Sequence, residues 1–220
     1  MKKLLKTFSF LFLISFYSCG DYTNPEPEAD TTTTFRPGKG TGMAIGVVDF
    51  GNIKPVFDQG WFRIKPENAE KRGKLLAGYK NDKQLNILWK MRALTNPKLD
   101  IENKNRFVYL FTIELNEGNY DIFDFTFIKN NGFTYSTVSN CGDFKLPFSI
   151  KKNKISYLGE IQVNQLALLK KAGGKPFIIS DNFETNLEMF KQKYKTLYLK
   201  EVENQTISGD EYNTGIFAFN

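Results

Sequence analysis

The chain has 220 residues, of which 41% are hydrophobic and 25% charged, the composition of an ordinary globular domain. It has no histidine and only two cysteines, which excludes Ser-His-Asp and Cys-His catalysis, histidine-ligated or four-cysteine zinc sites, and a disulfide-stapled scaffold. The formal net charge is +6, but the basic residues are mostly lysines scattered along the chain rather than an arginine-containing stripe, so no nucleic-acid partner is expected.

Residues 1–18 are typical of a secretory signal peptide. Lys2, Lys3 and Lys6 form a positively charged start, and an apolar run from Phe8 to Tyr17 follows. Because a membrane-spanning helix needs roughly 20 apolar residues, this shorter run favours a cleaved signal over a permanent span.

The apolar run ends on Ser18-Cys19-Gly20, which resembles the lipobox of bacterial lipoproteins. Phe16 and Tyr17 depart from the usual leucine and small residue, as in the looser lipoboxes of Bacteroidota. The resemblance implies cleavage before Cys19 and lipidation, including palmitate, of its thiol and new amine. Several acyl chains would give stable membrane attachment, and the outer membrane is the expected location, either surface-exposed or facing the periplasm. The alternative is an ordinary signal-peptidase site with an incidental Cys19.

The residues after Cys19 predict a disordered tether, so that lipidated cysteine and tether together cover residues 19–41. The segment is rich in proline, threonine, glycine and acidic residues and has little to bury. Asp30-Thr31-Thr32 resembles the O-glycosylation sequon of Bacteroidota, which makes Thr31 a candidate for modification. The alternative is that the threonines form a plain polar spacer.

From residue 42 to residue 220, short apolar runs alternate with turn signals, which predicts a mainly β domain, specifically an antiparallel β-sandwich. The predicted strands are Met43 to Val48, Leu85 to Met91, and a meander of Phe107 to Leu115, Tyr120 to Ile128 and Phe133 to Val138. A hairpin of Phe148 to Ile150 and Ile155 to Val163 is predicted around Lys152-Asn153-Lys154, and Gly215 to Phe219 is predicted at a sheet edge.

One short amphipathic helix is predicted near the C-terminus. Asp181 and Glu184 have the spacing of a capping box. Phe183, Leu187, Phe190 and Tyr194 then recur on one helical face, which is expected to pack on the β domain.

The sequence predicts no catalytic residue, no metal site and no cofactor. Asp121 and Asp124 face opposite sides of a regular strand, so they are expected to be separate solvated or turn-capping acids unless a bulge intervenes. Cys141 lies in a predicted loop and is expected to be an inert thiol, with a reactive thiol or an intermolecular disulfide as alternatives. Trp61 is the candidate ligand-binding residue because sugars stack on exposed rings, whereas Trp89 falls on an apolar strand face and is predicted to be core.

Three segments resemble a loose group of β-sandwich lipoproteins: Glu114 to Phe123, Phe148 to Ile161, and Asp181 to Tyr194. The shared features are a Gly-x-Tyr at the start of a strand, a hairpin leading to a Tyr-x-Gly strand, and a helix with an acidic cap. The resemblance covers under half of the chain and implies the fold, with no activity or catalytic residue to carry over. At these positions, Gly118 and Asn153 suit tight turns, and Gly159 predicts a bulge or a close backbone approach.

These patterns predict a non-enzymatic lipoprotein of the bacterial cell envelope that acts as a binding or assembly module. Its expected partners are the membrane, through the lipid anchor, and an envelope protein or a glycan. One alternative is a surface protein that captures carbohydrate with Trp61 in its platform. The other is a carboxylate-dependent glycosidase, which needs two carboxyl groups about 5–10 Å apart in a cleft.

Overall fold

The computed structural model describes residues 40–71, 79–88, 99–194, 202–208 and 215–220, with the backbone alone for residues 86–88 and 140–143. These residues form a mainly β fold with two sheets and two helices. In chain order the strands are β1 (Thr41–Asp49), β2 (Gln59–Pro66), β3 (Lys83–Leu88), β4 (Ile101–Glu102), β5 (Phe107–Asn116), β6 (Gly118–Asn130), β7 (Tyr135–Ile150), β8 (Ile155–Val163), β9 (Phe177–Ser180), β10 (Val202–Asn204) and β11 (Phe217–Phe219). The helices are α1 (Gln165–Leu168) and α2 (Phe183–Lys193).

The larger sheet has seven strands in the order β11-β9-β8-β1-β5-β4, with β10 also paired to β8. It is a mixed sheet, because β1 with β8, β10 with β8, and β11 with β9 are parallel pairs. The prediction of a wholly antiparallel arrangement is therefore wrong for this sheet. Apolar runs look alike in parallel and antiparallel strands, so the sequence pattern does not report strand direction.

The smaller sheet has four antiparallel strands in the order β3-β2-β6-β7. The β6–β7 hairpin is confirmed, but β5 belongs to the larger sheet, so the predicted three-strand meander is wrong. The predicted hairpin after Ile150 is also wrong, because β7 and β8 lie in different sheets. The chain changes sheet at turns containing Gly118 (φ +151°) and Asn153 (φ +58°), which have the same residue signals as hairpin turns.

Apolar side chains from both sheets meet in one core. Phe177 of β9 is fully buried, and its ring contacts two rings of the smaller sheet. The ring centroids are 5.7 Å from Phe62 of β2 and 4.8 Å from Phe125 of β6. Ala44 and Val48 of β1 face the same core. Among the described strands, the two sheets are therefore joined by side-chain contacts, chiefly aromatic packing, rather than by a backbone ladder.

Helix α2 covers the other face of the larger sheet. Phe190 and Tyr194 form a second cluster with alternate residues of β1, including Met43 and Ile45. The predicted helix is confirmed, but its N-cap is Asn182, and the Oδ1 of Asp181 accepts a hydrogen bond from the amide of Phe183 instead of forming a capping box. Within the described ranges, neither helix has the length and apolar character that crossing a bilayer requires.

Candidate functional site

A bulge at Phe123 brings Asp121 and Asp124 to the same face of the smaller sheet. On β2, Arg63 pairs with Asp124 and the next residue pairs with Ile122, so β6 has one extra residue at this point. The register with β7 also shifts there, since Ile122 pairs with Leu146 but Asp124 pairs with Cys141. Both carboxylates are buried, so the expectation of separate solvated acids is wrong. A bulge has this effect because an inserted residue reverses the alternation of side chains between faces.

Each of the two buried carboxylates contacts a cation. The Nζ of Lys65 donates to Asp121 Oδ2 at 2.9 Å, and the Nζ of Lys145 lies 3.5 Å from the same oxygen. The Nε of Arg63 donates to Asp124 Oδ2 at 2.5 Å. Asp121 Oδ1 is buried and has no hydrogen-bond partner among the described residues. Each acid and its cation have the arrangement of a buried structural ion pair.

Two aromatic rings cover the cations of this cluster. Lys65 Nζ lies 4.7 Å from the centroid of Tyr79, and the guanidinium carbon of Arg63 lies 5.2 Å from the centroid of Phe123. The two rings meet edge to face, with centroids 5.0 Å apart. Cation–π contacts of this kind stabilise desolvated cations, so the rings contribute to holding the charges away from water.

A second buried polar network lies between the larger sheet and α2. Asn186, at 0% exposure, donates through Nδ2 to the hydroxyl of Tyr157 at 2.7 Å and to Glu160 Oε2 at 2.9 Å. Arg106 donates to the same Glu160 oxygen at 2.8 Å and to Asp49 Oδ2 at 2.6 Å. Burial alone lowers the pKa of Arg106, but the hydrogen bonds and charges of Asp49 and Glu160 outweigh it and raise that pKa.

The predicted irregularity at Gly159 is confirmed, because the register between β1 and β8 shifts there and Gly159 has a φ of +106°. The shift brings Tyr157 and Glu160, three residues apart, to the same amide of Asn186. Both polar clusters therefore depend on a bulge, and both consist of groups that bind one another.

Raising the pH should destabilise the protein through its buried tyrosines. Burial raises the pKa of Tyr157 well above its usual value, and nearby Glu160 and Asp181 add to the effect; burial likewise raises the pKa of Tyr120 and Tyr194. Unfolded tyrosines ionise near about pH 10, so the unfolded state loses protons first. This part of the stability is complete below about pH 10 and declines as the pH rises further.

The measurement is the urea midpoint at a series of alkaline pH values. The matched variant is Tyr157→Phe, which keeps the ring and removes the titrating hydroxyl. Its stability should decline less steeply with pH than that of the wild type. Equal slopes for the two proteins would contradict the role of Tyr157.

Trp61 lies on the outer face of the smaller sheet, the face turned away from the core. Its neighbours Gly60 and Phe62 are buried, whereas Trp61 itself is half-buried. Trp61 pairs with Thr126, and Thr126 pairs with Ser139. The same face continues along the β6–β7 hairpin, and we call it the aromatic platform, defined by Gln59, Trp61, Thr126, Ile128, Asn130, Tyr135, Thr137 and Ser139.

The end of the platform has exposed aromatic residues that the sequence patterns did not single out. Tyr135 pairs with Asn130 and is 67% exposed. Phe133 lies at the hairpin turn and is fully exposed, at 105%. The residue pattern predicts a turn at Asn130-Asn131-Gly132 and a strand from Phe133; instead, Gly132, with a φ of +92°, begins a two-residue turn with Phe133 at its apex.

Several predicted residues have no described side chain. Cys19, Thr31 and Trp89 lie outside the described residues. Cys141 lies in β7 opposite Asp124, so its placement in a loop is wrong, while its side chain is not described. Among the described residues, no group of three or more cysteine, aspartate or glutamate side chains is placed to hold a metal ion.

Comparisons with known proteins give no family for this chain. No family model and no curated protein matches it. One solved structure that it matches is a leucine-rich repeat protein from Bacteroides thetaiotaomicron VPI-5482, with 11% identity and a TM-score of 0.30. The match covers 56% of this chain and spans 14% of that protein, and a TM-score this low supports no conclusion about fold or role.

Proposed function

We propose that the protein is a non-enzymatic lipoprotein of the bacterial outer membrane that acts as a binding module. Cys19 is the lipid-bearing residue, residues 19–41 form the tether, and residues 42–220 form a β-sandwich that presents the aromatic platform. The observation that carries this proposal is the position of the hairpin turn at the end of the domain opposite the tether.

The strand directions support this arrangement. β1 begins at Thr41, the last residue assigned to the tether, and its first residues contact Asn116 at the end of β5 and Lys154 before β8. β6 begins at Gly118, beside that same end, and runs away from it for 13 residues. At about 3.3 Å per residue, β6 extends up to about 40 Å from the tether end. A lipid anchor on Cys19 would then leave the hairpin turn on the side remote from the membrane.

The shared core supports the sandwich arrangement. Larger-sheet residues such as Ile113 and Ile161, and smaller-sheet residues such as Ile64 and Leu146, belong to the same buried cluster. Two sheets that bury their facing sides against each other in this way are the pattern of a sandwich, here with one mixed and one antiparallel sheet.

The buried acids support a binding role over the glycosidase alternative. A glycosidase needs one carboxylic acid that donates a proton and a second carboxylate across a cleft. Asp121 and Asp124 instead contact Lys65 and Arg63 beneath aromatic rings. Both acids are therefore engaged by cations of their own sheet, which is the arrangement of structural ion pairs.

Replacing Cys19 by serine in the native host should release the protein from the membrane fraction. Serine has no thiol to receive an acyl chain, and the remaining chain would lack the anchor. The measurement is the distribution of the protein between membrane pellet and supernatant, together with incorporation of labelled palmitate. Cys141→Ser is the matched control and should remain in the pellet with its label. Unchanged membrane attachment of Cys19→Ser would contradict the anchor.

A further inference from the structure

We propose that the aromatic platform binds a neutral polysaccharide chain, with Trp61 and Tyr135 as the two stacking residues. This inference rests on the proposed role as a binding module and names its ligand class. It also assigns functions to Tyr135 and Phe133, which the sequence patterns left without one.

The first argument is the arrangement of two aromatic rings on one face of the smaller sheet. Trp61 and Tyr135 lie on the same face of the smaller sheet, two strands apart and four residue positions apart along β6. In a regular sheet this separation is about 15–20 Å, which suits several sugar units of an extended chain rather than one small molecule. Sugar rings present apolar C–H faces, and aromatic rings offer large, rigid surfaces for them.

The second argument is the chemistry between the two rings. The intervening residues supply hydroxyl groups from Thr126, Thr137 and Ser139, and the amide of Asn130. Hydroxyl and amide groups both donate and accept hydrogen bonds, as sugar hydroxyls do. None of the eight platform residues is charged, and Arg63, the next residue on this face of β2, is paired with Asp124, so the surface matches a neutral chain better than an anionic one.

The third argument concerns Phe133 at the turn. Folding requires glycine at position 132, where φ is +92°, but a two-residue turn makes no demand for phenylalanine at its second position. A fully exposed apolar ring adds nothing to the core, so the ring of Phe133 is available for a contact outside the domain. Phe133 lies next to Tyr135 at the end of the platform, where it would extend the stacking surface.

Two other kinds of occupant fit the platform less well. An anionic membrane surface attracts clusters of lysine and arginine, but the cations on this face, Arg63, Lys65 and Lys145, are paired with Asp124 and Asp121. The stable core of a protein interface is a contiguous apolar patch, whereas here hydroxyl and amide groups separate the rings. The neutral, mixed surface therefore favours a saccharide over a bilayer or a protein.

The test is a depletion assay with the full lipidated chain in detergent and a panel of insoluble polysaccharides. The panel consists of cellulose, chitin, starch granules and insoluble xylan, with purified murein sacculi as the charged comparison. At least one of the four neutral polysaccharides should remove the protein from solution. Binding to murein alone would indicate a charged cell-wall ligand and would contradict the neutral-chain inference.

Variants distinguish the platform from other exposed groups. Tyr135→Ala and Trp61→Ala should each weaken the binding by about tenfold, the scale of one lost aromatic contact, whereas Tyr135→Phe should retain it. Leu166→Ser is the control, because Leu166 is 44% exposed but lies in α1, outside the platform. Circular dichroism of each variant would establish that it is folded.

Some results would overturn the inference. One is that no polysaccharide of the panel removes the protein from solution. Another is that Tyr135→Ala and Trp61→Ala bind as well as the wild type. A third is that the protein binds no polysaccharide but co-purifies with a protein partner, and that Tyr135→Ala abolishes this co-purification. None of them affects the anchor, which Cys19→Ser tests alone. If the protein binds a polysaccharide but is never found in the membrane fraction, the proposed lipid anchor is contradicted and the proposed binding role of the aromatic platform is not.

Discussion

Replacing Phe177 by alanine should lower the free energy of unfolding by about 3–5 kcal/mol, the usual loss for a large aromatic side chain removed from a core. Phe177 is fully buried at the point where the two sheets meet. Besides Phe62 and Phe125, its ring contacts Phe127 at 6.1 Å and Phe217 at 5.1 Å between centroids. Four rings would therefore lose packing around one cavity, and three of them belong to the other sheet.

The measurement is urea unfolding followed by circular dichroism, with Phe133→Ala as the matched control. The two variants remove the same atoms, but Phe133 is fully exposed and its loss should change the unfolding free energy by no more than about 0.5 kcal/mol. Phe177→Leu should fall between the two, because leucine refills part of the cavity. Similar stability of Phe177→Ala and Phe133→Ala would contradict a core shared by the two sheets.

Replacing Lys65 by methionine should destabilise the protein by about 3 kcal/mol, since removal of one partner leaves a buried charge uncompensated. Asp121 is 0% exposed, and Lys65 is its nearest cation at 2.9 Å. Lys145 would remain at 3.5 Å, but its side chain is about half exposed and gives weaker compensation. Because methionine keeps much of the apolar stem of lysine, the loss of stability reflects the missing charge rather than missing side-chain volume.

The matched control is Lys54→Met. Lys54 forms an ion pair with Glu102 at 3.1 Å, and both side chains are largely exposed, so its loss should be below about 1 kcal/mol. The double variant Lys65→Met with Asp121→Leu should recover most of the stability, because both buried charges are then removed. If Lys65→Met lowered the free energy of unfolding as little as Lys54→Met, buried Asp121 would not depend on Lys65 for compensation. A catalytic role for Asp121 would then be supported again.

Several of the strands were predictable. β1, β5 and β6 lie where apolar runs predicted them, and α2 lies where its apolar face predicted it, whereas β2, β4 and β10 were not predicted. These elements follow from the local periodicity of apolar residues, which can be read from the sequence as a run or alternation in a strand and as a repeat of three to four residues in a helix. Which strands pair was not predictable, because pairing depends on contacts between residues far apart in the chain. The turns at Gly118 and Asn153 show this, since their residues suit a hairpin and a change of sheet equally well.

The residues of the candidate site were likewise predictable from the sequence only in part. Trp61 was identified from its residue type, but its position beside Thr126 and on the same face as Tyr135 depends on the register of β2, β6 and β7. Regular alternation predicts that Asp121 and Asp124 face opposite sides of the strand, but one inserted residue, Phe123, reverses the alternation and brings both to the same face. Nothing in the local sequence marks that bulge, whereas Gly159 marks the one in β8.

The sequence by itself determined the residues that favour strands, the helix face, the N-terminal pattern that predicts a leader and an anchor, and the absence of histidine chemistry. These are properties of neighbouring residues and of composition. Only the tertiary structure decided that β1 and β8 are parallel, that the acids are buried beside Lys65 and Arg63, and that two aromatic residues share one polar face. The physical reason is that pairing, burial and register are set by long-range packing, whose free energy outweighs the local preferences of any single segment.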